Sequence, residues 1–332
     1  MKTKVLGLDI SKSTIDATIV FQGSDDSRHD SFLNNDFGFK QLFKWISTIT
    51  PPKEVLFCLE HTGYYSRSLC RFLDKNELEY ALLNALSIKR SMGMRREKSD
   101  KYDSLIIARY GLKFYDELKP GSFLKGDLLE LQLLLAHRKR TMDKALAYLR
   151  QEKHLKYCFK GETKAQFVLS DLKKQRLFLQ KHLLLIESKM DDQLTNNRIL
   201  FDHYNLLRTI PGVGKITAIA TLVHTHNFKR INDPRKFSCY SGVAPFKNES
   251  GTSIRKGTRV SFYGNHKLKE LLNFSALSAV RFDPQLKAYY QRKVEEGKNK
   301  MSVLNAVRNK IIHRMYATIR RGTPYVIHPV FN

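Results

Sequence analysis

Cysteine is scarce in this sequence, and the residues Cys58, Cys70, Cys158 and Cys239 stand far apart with no CxxC pair among them. This spacing does not fit a cysteine zinc site or a disulfide framework, and it is typical of reduced thiols in a cytoplasmic protein. The 11 histidines contain no HExxH motif, so they indicate no metal site either.

Long apolar runs are also missing. No segment approaches the roughly 20 consecutive apolar residues that a membrane-spanning helix needs, and the N-terminus has no signal-peptide core. We therefore expect no membrane segment. The glycine pair Gly212 and Gly214 does not follow a strand as part of a GxGxxG motif, so it is not a nucleotide-binding fingerprint.

Acidic residues are few relative to basic ones. The 332-residue chain carries 58 lysines and arginines against 32 aspartates and glutamates, which gives a net charge of +26. An excess of this size indicates a polyanionic partner, for which nucleic acid is the default and a membrane surface the lesser alternative. Residues 206–332 hold 23 of the basic residues and only 6 of the acidic ones, so we expect the polyanion to bind mainly there.

Residues 1–120 alternate between strand and helix patterns. Lys4–Val20 predicts a β-hairpin, because two apolar runs flank a short polar turn. Further elements are predicted as strands at 29–33, 55–60 and 80–83, helices at 39–49 and 99–114, and a basic loop at 89–101. Strands followed by alternating helices and strands predict an α/β domain with a mixed sheet.

The rest of the chain reads as mainly helical. Residues 121–203 predict two long helices folded back on each other as an antiparallel coiled-coil arm, with a spacer or dimerisation role. Residues 204–332 predict a helical domain with a Gly/Ser-rich loop at 237–256 and a basic helical tail at 265–321.

The segment LLRTIPGVGKITAIATLVHT at 206–225 has the helix, glycine turn and helix of a helix-hairpin-helix. In that motif Gly212, Gly214 and Lys215 would meet a nucleic-acid phosphate, because glycines allow close approach and a helix start supplies N–H donors. The alternative is a turn between two helices that only packs.

Four carboxylates occupy positions that favour a shared metal site. Asp9 and Glu60 each end an apolar strand, whereas Asp100 and Asp103 lie three residues apart and so share one face of a helix. A buried carboxylate needs a compensating cation or donors, and oxygen ligands suit a pair of Mg²⁺ ions that clamp a phosphodiester. For each acid alone, the alternative is a structural residue at a turn.

The segments around these acids, GLDIS, LEHTGYY and KSDKYDSLIIARY, resemble the DEDD domain of insertion-sequence 110 transposases and Piv-type DNA invertases. IPGVGKITA and YSGVAPFKNESGTSIRKG resemble the C-terminal domain of the same family, so the resemblance spans about residues 4–325. The resemblance implies an RNase H-like, RuvC-like fold for the N-terminal domain. It also implies a DNA transposase or recombinase with Mg²⁺ on the acidic tetrad.

The same resemblance implies a serine nucleophile, which by motif is Ser250. It further implies a structured guide, or bridge, RNA that pairs with donor and target DNA, in a bacterial, nucleoid-associated protein. Ser250 also fits on its own chemistry, because the following Gly251 leaves room for a phosphate. Arg255, Lys256 and Arg259 could neutralise the charge that develops at phosphorus.

We therefore expect a composite site in which Ser250 meets the acids, in a dimer or tetramer because recombination joins four strand ends. Cations interleaved with tyrosines predict a nucleic-acid face in the tail: Lys287, Tyr289, Tyr290, Arg292, Lys293, Lys298, Lys300, Arg308, Lys310, Arg314 and Tyr316. Two alternatives stay open. One is a Holliday-junction resolvase or metal-dependent nuclease that uses water, and the other is a non-catalytic nucleic-acid-binding protein with structural acids.

Overall fold

The computed structural model describes residues 4–60, 63–91, 99–121, 124–250 and 254–327, and for 247–250, 254–257 and 259 it describes the backbone alone. The chain divides into two compact units, Met1–Phe123 and Leu124–Asn332. Each unit has its own apolar core, and each is described separately below.

Five strands of the first unit form one mixed sheet in the order β3-β2-β1-β4-β5. Their bounds are β1 Lys4–Ile10, β2 Thr14–Phe21, β3 Ser27–Leu33, β4 Val55–Glu60 and β5 Tyr80–Leu83. The first three strands pair antiparallel, whereas β4 runs parallel to both β1 and β5. This arrangement confirms the predicted α/β domain with a mixed sheet.

Helices cover both faces of this sheet, and their bounds are α1 Asp36–Ile49, α2 Arg67–Lys75, α3 Ala85–Ser91 and α4 Asp100–Lys113. Side chains alternate between the two faces of a strand. Leu6 and Leu8 of β1 therefore pack in one core with residues of α1 and α2, whereas Val5 packs in a second core with Ile107 of α4. Gly7 and Asp9 share the face of Val5, which is the face that α4 covers.

Gly7 allows α4 to lie directly on β1. A Cβ atom at Gly7 would stand 2.1 Å from the Ser104 carbonyl oxygen and 2.3 Å from the Ala108 nitrogen, both backbone atoms of α4. A buried hydrogen bond of 2.7 Å between the Thr18 and Ser104 hydroxyls fixes the same helix against β2. The start of α4 is thereby held over the ends of the central strands.

The predicted elements of the first unit are largely confirmed, with two corrections. The segment predicted as a basic loop at 89–101 begins inside α3, which ends at Ser91, and residues 92–98 lie outside the described part of the chain. Apolar periodicity predicts Leu105, Ile106 and Tyr110 as the buried face of α4, and this is wrong. The buried residues of the helix are Ser104, Ile107, Ala108 and Gly111. Helical periodicity alone does not identify this face, because the small residues that allow close packing carry little hydrophobic signal.

The second unit contains eight helices and one hairpin among its described residues. The helices are α5 Gly126–Cys158, α6 Gln166–Thr195, α7 Arg198–Arg208, α8 Lys215–Thr225, α9 Pro234–Tyr240, α10 His266–Phe282, α11 Pro284–Glu295 and α12 Lys300–Arg321. The basic helical tail predicted at 265–321 is thus observed as α10, α11 and α12.

The two long helices α5 and α6 pack side by side in opposite directions. Arg138 pairs with Glu187 at 2.6 Å, and Arg176 pairs with Glu152, also at 2.6 Å, so positions later in α5 face positions earlier in α6. One end of the pair joins the core of the unit through residues such as Leu131.

The turn between α7 and α8 contains two glycines that the sequence singled out. Gly212 adopts a φ of +88°, and a Cβ atom there would stand 2.3 Å from the Ser275 carbonyl oxygen of α10. The requirement for glycine at this position is therefore explained by packing between helices. Gly214 is the N-cap residue of α8 in an extended conformation, and a Cβ atom there would meet only the Arg208 side chain, at an ordinary contact distance of 3.9 Å.

The prediction of a Gly/Ser-rich loop at 237–256 was wrong for the described residues of that segment, most of which lie in regular elements; residues 251–253 lie outside the described part of the chain. The segment contains most of α9 and an antiparallel hairpin of β6 Pro245–Ser250 and β7 Ile254–Val260. Composition suggested a loop because the two strands are rich in polar residues and lack the regular apolar alternation by which a half-buried strand is recognised in a sequence.

No helix in the described part of the chain is both long enough and apolar enough to span a bilayer.

Candidate acidic metal site and nucleic-acid-binding elements

Asp9 and Glu60 occupy equivalent positions on neighbouring parallel strands. Leu8 of β1 pairs with Leu59 of β4, and the two acids are the next residue on each strand. Because side chains alternate, both acids belong to the sheet face that α4 covers. In both strands an apolar run is followed by an acid, and the structure places the two acids side by side on the same face of the sheet.

The other two acids lie in the first turn of α4. The Ser99 side chain caps this helix by accepting a hydrogen bond from the Tyr102 N–H at 3.3 Å. Asp100 and Asp103 follow directly, where the partial positive charge of a helix N-terminus stabilises carboxylates. The Ser99 cap and the contact of α4 with Gly7 together fix the backbone position of Asp100 and Asp103.

Three of the four predicted acids come together. Asp9, Asp100 and Asp103 each offer a carboxylate oxygen, and these oxygens all lie within 4.8 Å of one another. Glu60 is not part of this group, although its charge acts on Asp9. A separation of this size is close to twice the bond length of a hard divalent cation to oxygen, roughly 2.0–2.6 Å, so a single ion could contact all three.

The Asp9 carboxylate is held in an unfavourable charged environment. Burial, followed by the charges of Asp103 and Asp100, raises the pKa of Asp9 from 3.8 to about 6, with smaller contributions from Glu60 and Asp16. Like charges confined to one site disfavour ionisation, and a bound divalent cation removes that penalty. The donor set and its electrostatics therefore fit a hard divalent metal ion.

Sequence reasoning missed two residues that shape this site, Gly7 and Asp16. Asp16 lies opposite Asp9 in the β1–β2 register, and its carboxylate accepts hydrogen bonds from Ser31 and His29. The position of Asp16 could have been predicted from the sequence, since pairing residues on either side of the hairpin turn places Asp16 opposite Asp9. Gly7 gave no signal, because its role depends on a helix almost 100 residues further along the chain.

Ser250 is the last residue of β6, and its backbone pairs with Ile254 across the hairpin. Arg255, Lys256 and Arg259 all lie on β7. The side chains of these four residues are outside the described part of the structure. The nearby Ser238 and Ser241 are 2% and 0% exposed and donate hydrogen bonds to backbone carbonyls, so neither presents a free hydroxyl.

Lys215, at the start of α8, is engaged within its own unit. Its Nζ donates to the Glu187 carbonyl at 2.9 Å and to Asp191 Oδ2 at 2.7 Å, both on α6. Gly212 packs on α10, as described above. Nucleic-acid contact at Gly212, Gly214 and Lys215 remains a prediction. For Gly212 and Lys215, contacts within the unit already explain the residue type.

The predicted basic face of the tail separates into two groups. Arg314 pairs with the buried Asp283 at 2.6 Å, and the buried Tyr316 donates to the Ile231 carbonyl at 2.7 Å, so both stabilise the helical core. Arg308 is also buried. Lys287 and Lys310 are exposed, with the Lys310 ammonium 4.5 Å from the centre of the Tyr289 ring.

The raised pKa of Asp9 predicts a pH-dependent cost to folding in metal-free solution. Since the folded-state pKa lies above the ordinary value, ionisation of Asp9 opposes folding, and stability falls as pH rises from about 4 through 6. Asp9→Asn should therefore stabilise the metal-free protein near pH 7.5 by about 1–2 kcal/mol, a figure reduced for partial exposure. Chemical unfolding in the presence of a chelator measures the effect.

The gain should vanish below about pH 4, where Asp9 is protonated in both states. Asp25→Asn, which removes an exposed acid from the connection between β2 and β3, serves as the control and should change little at any pH. Equal stability of Asp9→Asn and wild type near pH 7.5 would contradict the electrostatic account of the site.

Comparison with known proteins agrees with this architecture. A family model described as Transposase, for DEDD transposases of the IS110 type, matches residues 6–159 and so includes all four acids. A second model, described as Transposase IS116/IS110/IS902 family, matches residues 204–291 and includes Ser250. A DEDD transposase domain implies the use of a divalent metal ion, and a transposase implies DNA binding.

Relatives extend the match over almost the whole chain. The pilin gene-inverting protein of Moraxella bovis is 28% identical over 336 aligned positions, which cover 98% of each chain. The protein of the same name from Moraxella lacunata is 27% identical with the same coverage. An IS110 insertion-element protein of Streptomyces coelicolor is 32% identical over 36% of this chain and 29% of its own length. This chain therefore belongs to the IS110 family of DNA transposases and recombinases.

Proposed function

We propose that this recombinase cleaves and rejoins DNA strands in a Mg²⁺-dependent reaction that passes through a phosphoserine intermediate at Ser250. The observation that carries the proposal is the cluster of Asp9, Asp100 and Asp103 within 4.8 Å, with the pKa of Asp9 raised by burial and by its acidic neighbours. Such a cluster is costly to a folded protein unless it binds a cation.

In this proposal Asp9, Asp100 and Asp103 hold Mg²⁺, and Glu60 completes the ligand set for a second ion. When bound, the metal supplies electrophilic stabilisation of a phosphodiester and of its leaving oxygen. The preference for Mg²⁺ follows from the donors, since carboxylate oxygens without nitrogen or sulfur ligands suit hard cations. The residues of α4 and the two strands keep the oxygens in place before DNA arrives.

The chain's own nucleophile would be the Ser250 hydroxyl. Its Oγ attacks phosphorus, the bond from phosphorus to one deoxyribose oxygen breaks, and that oxygen leaves as a 5′- or 3′-hydroxyl after taking a proton. The DNA is then joined to Ser250 as a phosphodiester. After strand exchange a new hydroxyl attacks the same phosphorus and releases Ser250, so the number of phosphodiester bonds is conserved.

Arg255, Lys256 and Arg259 follow Ser250 on β7 and carry the charge needed to stabilise the phosphorane-like transition state. Their positions in the hairpin support this role, because the backbone of Ser250 pairs with Ile254, the residue directly before Arg255. Their proposed contacts are with the phosphates that flank the cleaved bond.

Rejoining is favoured over hydrolysis by the relatives, two of which are named for inverting a gene, a change that requires strands to be cut and resealed. A water-using nuclease or Holliday-junction resolvase is the second candidate. This candidate is supported by the position of the three clustered acids, which all belong to the first compact unit. The metal site can therefore form without any residue of the second unit.

We further propose that α5 and α6 act as a coiled-coil arm that joins protomers in a dimer or tetramer. Large apolar side chains on α6 are exposed, including Phe178 at 67%, Leu184 at 69% and Leu185 at 64%. Covering them in an oligomer would be favourable. The α7–α8 segment is proposed as a helix-hairpin-helix that contacts a phosphate through Gly214.

A bridge RNA that pairs with donor and target DNA is the proposed guide, in a nucleoid-associated complex. Its support is the family resemblance alone, since the net charge of +26 indicates a polyanionic partner without distinguishing RNA from DNA. The proposed domain division is 1–120 for metal chemistry, 121–203 for the arm and 204–332 for the serine and nucleic-acid binding.

Ser250→Ala should abolish both recombination and the covalent protein–DNA product, because no other side chain would replace the nucleophile. The measurement uses labelled DNA that carries the ends of the element, with denaturing gel electrophoresis to detect DNA attached to protein. Asp103→Asn should reduce the same product by about 100-fold or more, through loss of metal-assisted stabilisation. DNA binding by both variants should stay close to wild type.

Ser302→Ala provides the matched control, since it removes an exposed hydroxyl from the first turn of α12 in the same unit. Continued cutting by Ser250→Ala, without an adduct, would favour the nuclease that uses water. Absence of cutting by wild type under any metal condition would favour a binding protein.

The guide proposal predicts a discrete RNA in the purified complex. Wild-type protein should be expressed with the non-coding flanks of its element, purified in moderate salt, and its bound nucleic acid sequenced. One defined non-coding RNA from those flanks is the expected result. Recovery of bulk cellular RNA, in proportion to its abundance, would overturn the guided mechanism while leaving the serine chemistry intact.

A further inference from the structure

Arg308 is a buried cation that has no carboxylate partner among the described residues. Its side chain on α12 lies in the core of the second unit, and the residue is 5% exposed. Nη1 donates to Asn305 Oδ1 at 3.2 Å and Nη2 donates to Asn273 Oδ1, while Nε has no hydrogen-bond partner. Neutral amide groups therefore hold the guanidinium without balancing its charge.

Half-buried arginines of the same unit are balanced by carboxylates. Arg314, also on α12, pairs with Asp283 at 2.6 Å, and Arg176 pairs with Glu152 at 2.6 Å. An unbalanced buried charge strongly opposes folding, and proteins generally retain one only with a partner. The difference at Arg308 indicates that the partner of this cation is supplied from outside the unit.

A second cation, Lys269, stands next to Arg308. Lys269 lies one helical turn before Asn273 on α10, so both side chains are on the helix face that meets Arg308. It is half-buried, and within the described residues its ammonium has no ion pair. Burial and the charge of Arg308 both lower the pKa of Lys269, as expected for two cations that share one site.

Arg308 is connected through Asn305 to the residues just before β6, the strand that ends in Ser250. Asn305 accepts a hydrogen bond from Arg308 and donates through Nδ2 to the Val243 carbonyl at 2.8 Å. Val243 is fully buried and precedes the first residue of β6 by two positions. Arg308 is therefore linked through Asn305 to the segment that leads into the strand carrying the serine.

We propose that Lys269, backed by the buried Arg308, forms a binding site for one phosphate group of a nucleic-acid strand. Lys269 Nζ is the donor that solvent can reach, and the Arg308 guanidinium behind it adds a second positive charge in a low-dielectric setting, where charge acts strongly. Asn273 and Asn305 are positioning residues that fix the guanidinium. The bound phosphate balances both cations.

The site can be tested without catalysis by using inorganic phosphate as the probe. Thermal unfolding of the full chain is measured in phosphate and in chloride at equal ionic strength. Wild type should gain about 2–4 °C in phosphate, because a ligand that binds only the folded state stabilises it. Lys269→Gln should lose most of this gain, and Lys173→Gln, which removes an exposed cation from α6, should keep it.

Arg308 is tested with two variants that differ in charge. Arg308→Gln retains hydrogen-bond donors but is neutral, so it should lose the phosphate response. Arg308→Lys keeps the charge and should retain most of the response. If the Arg308 variants do not fold, Lys269→Gln decides the question, since its side chain is only half-buried. A phosphate gain in Lys269→Gln equal to that of wild type overturns the site.

A second measurement identifies the source of the phosphate. Each phosphate contact with duplex DNA contributes about 0.9 to the slope of log affinity against log salt concentration. Lys269→Gln should reduce this slope by about 1 relative to Lys173→Gln, which has the same net charge. An unchanged slope, with the inorganic phosphate response still present in wild type, would overturn the assignment to nucleic acid.

This inference is independent of the proposed serine chemistry. Neither measurement requires a divalent metal or a nucleophile, so Ser250→Ala protein should respond to phosphate and salt as wild type does. Failure of the covalent adduct experiment would leave this site standing, and failure of the phosphate experiments would leave the serine mechanism standing.

Discussion

The close contact between α4 and β1 is the constraint on which the acidic site depends. Because Gly7 has no side chain, backbone atoms of Ser104 and Ala108 occupy the space that a Cβ atom would need. The first turn of α4 consequently reaches the edge of the sheet where Asp9 ends its strand. Any larger residue at Gly7 would lift the helix, and Asp100 and Asp103 would move with it.

This contact holds several carboxylates close together at one edge of the sheet, and their mutual repulsion lowers the stability of the fold. The apolar residues on both faces of the sheet form two cores, whose burial supports the fold. Part of that stability offsets the repulsion among carboxylates held within 4.8 Å, which the raised pKa of Asp9 reflects. In the second unit Arg308 is the positive counterpart, a buried charge held by asparagines. The first unit thus carries unbalanced negative charge that its proposed ligand, a metal cation, would neutralise. The second unit carries unbalanced positive charge that a phosphate would neutralise.

The sequence allowed much of this architecture to be predicted, because alternating patterns and strand-end acids are local features. The hairpin from Lys4, the acidic strand ends and the helix after Ser99 follow from such patterns. The β6–β7 hairpin was predicted as a loop, since the sequence of its strands is mostly polar and shows no regular apolar alternation. Arg308 was predicted as part of a nucleic-acid face, but its burial could not be predicted, and neither could the contact of Gly7 with α4, because each depends on which helix a distant part of the chain brings against it.

The most direct test of the central claim is divalent-ion binding by Gly7→Ala, followed as the rise in unfolding temperature when Mg²⁺ or Mn²⁺ is added to chelator-treated protein. Gly23→Ala is the control, because its added methyl group meets no atom within 4 Å and any effect comes from its φ of +79°. Wild type and Gly23→Ala should be stabilised by the ion, whereas Gly7→Ala, even when folded, should not be. Metal stabilisation of Gly7→Ala equal to that of wild type would contradict the dependence of the site on this contact.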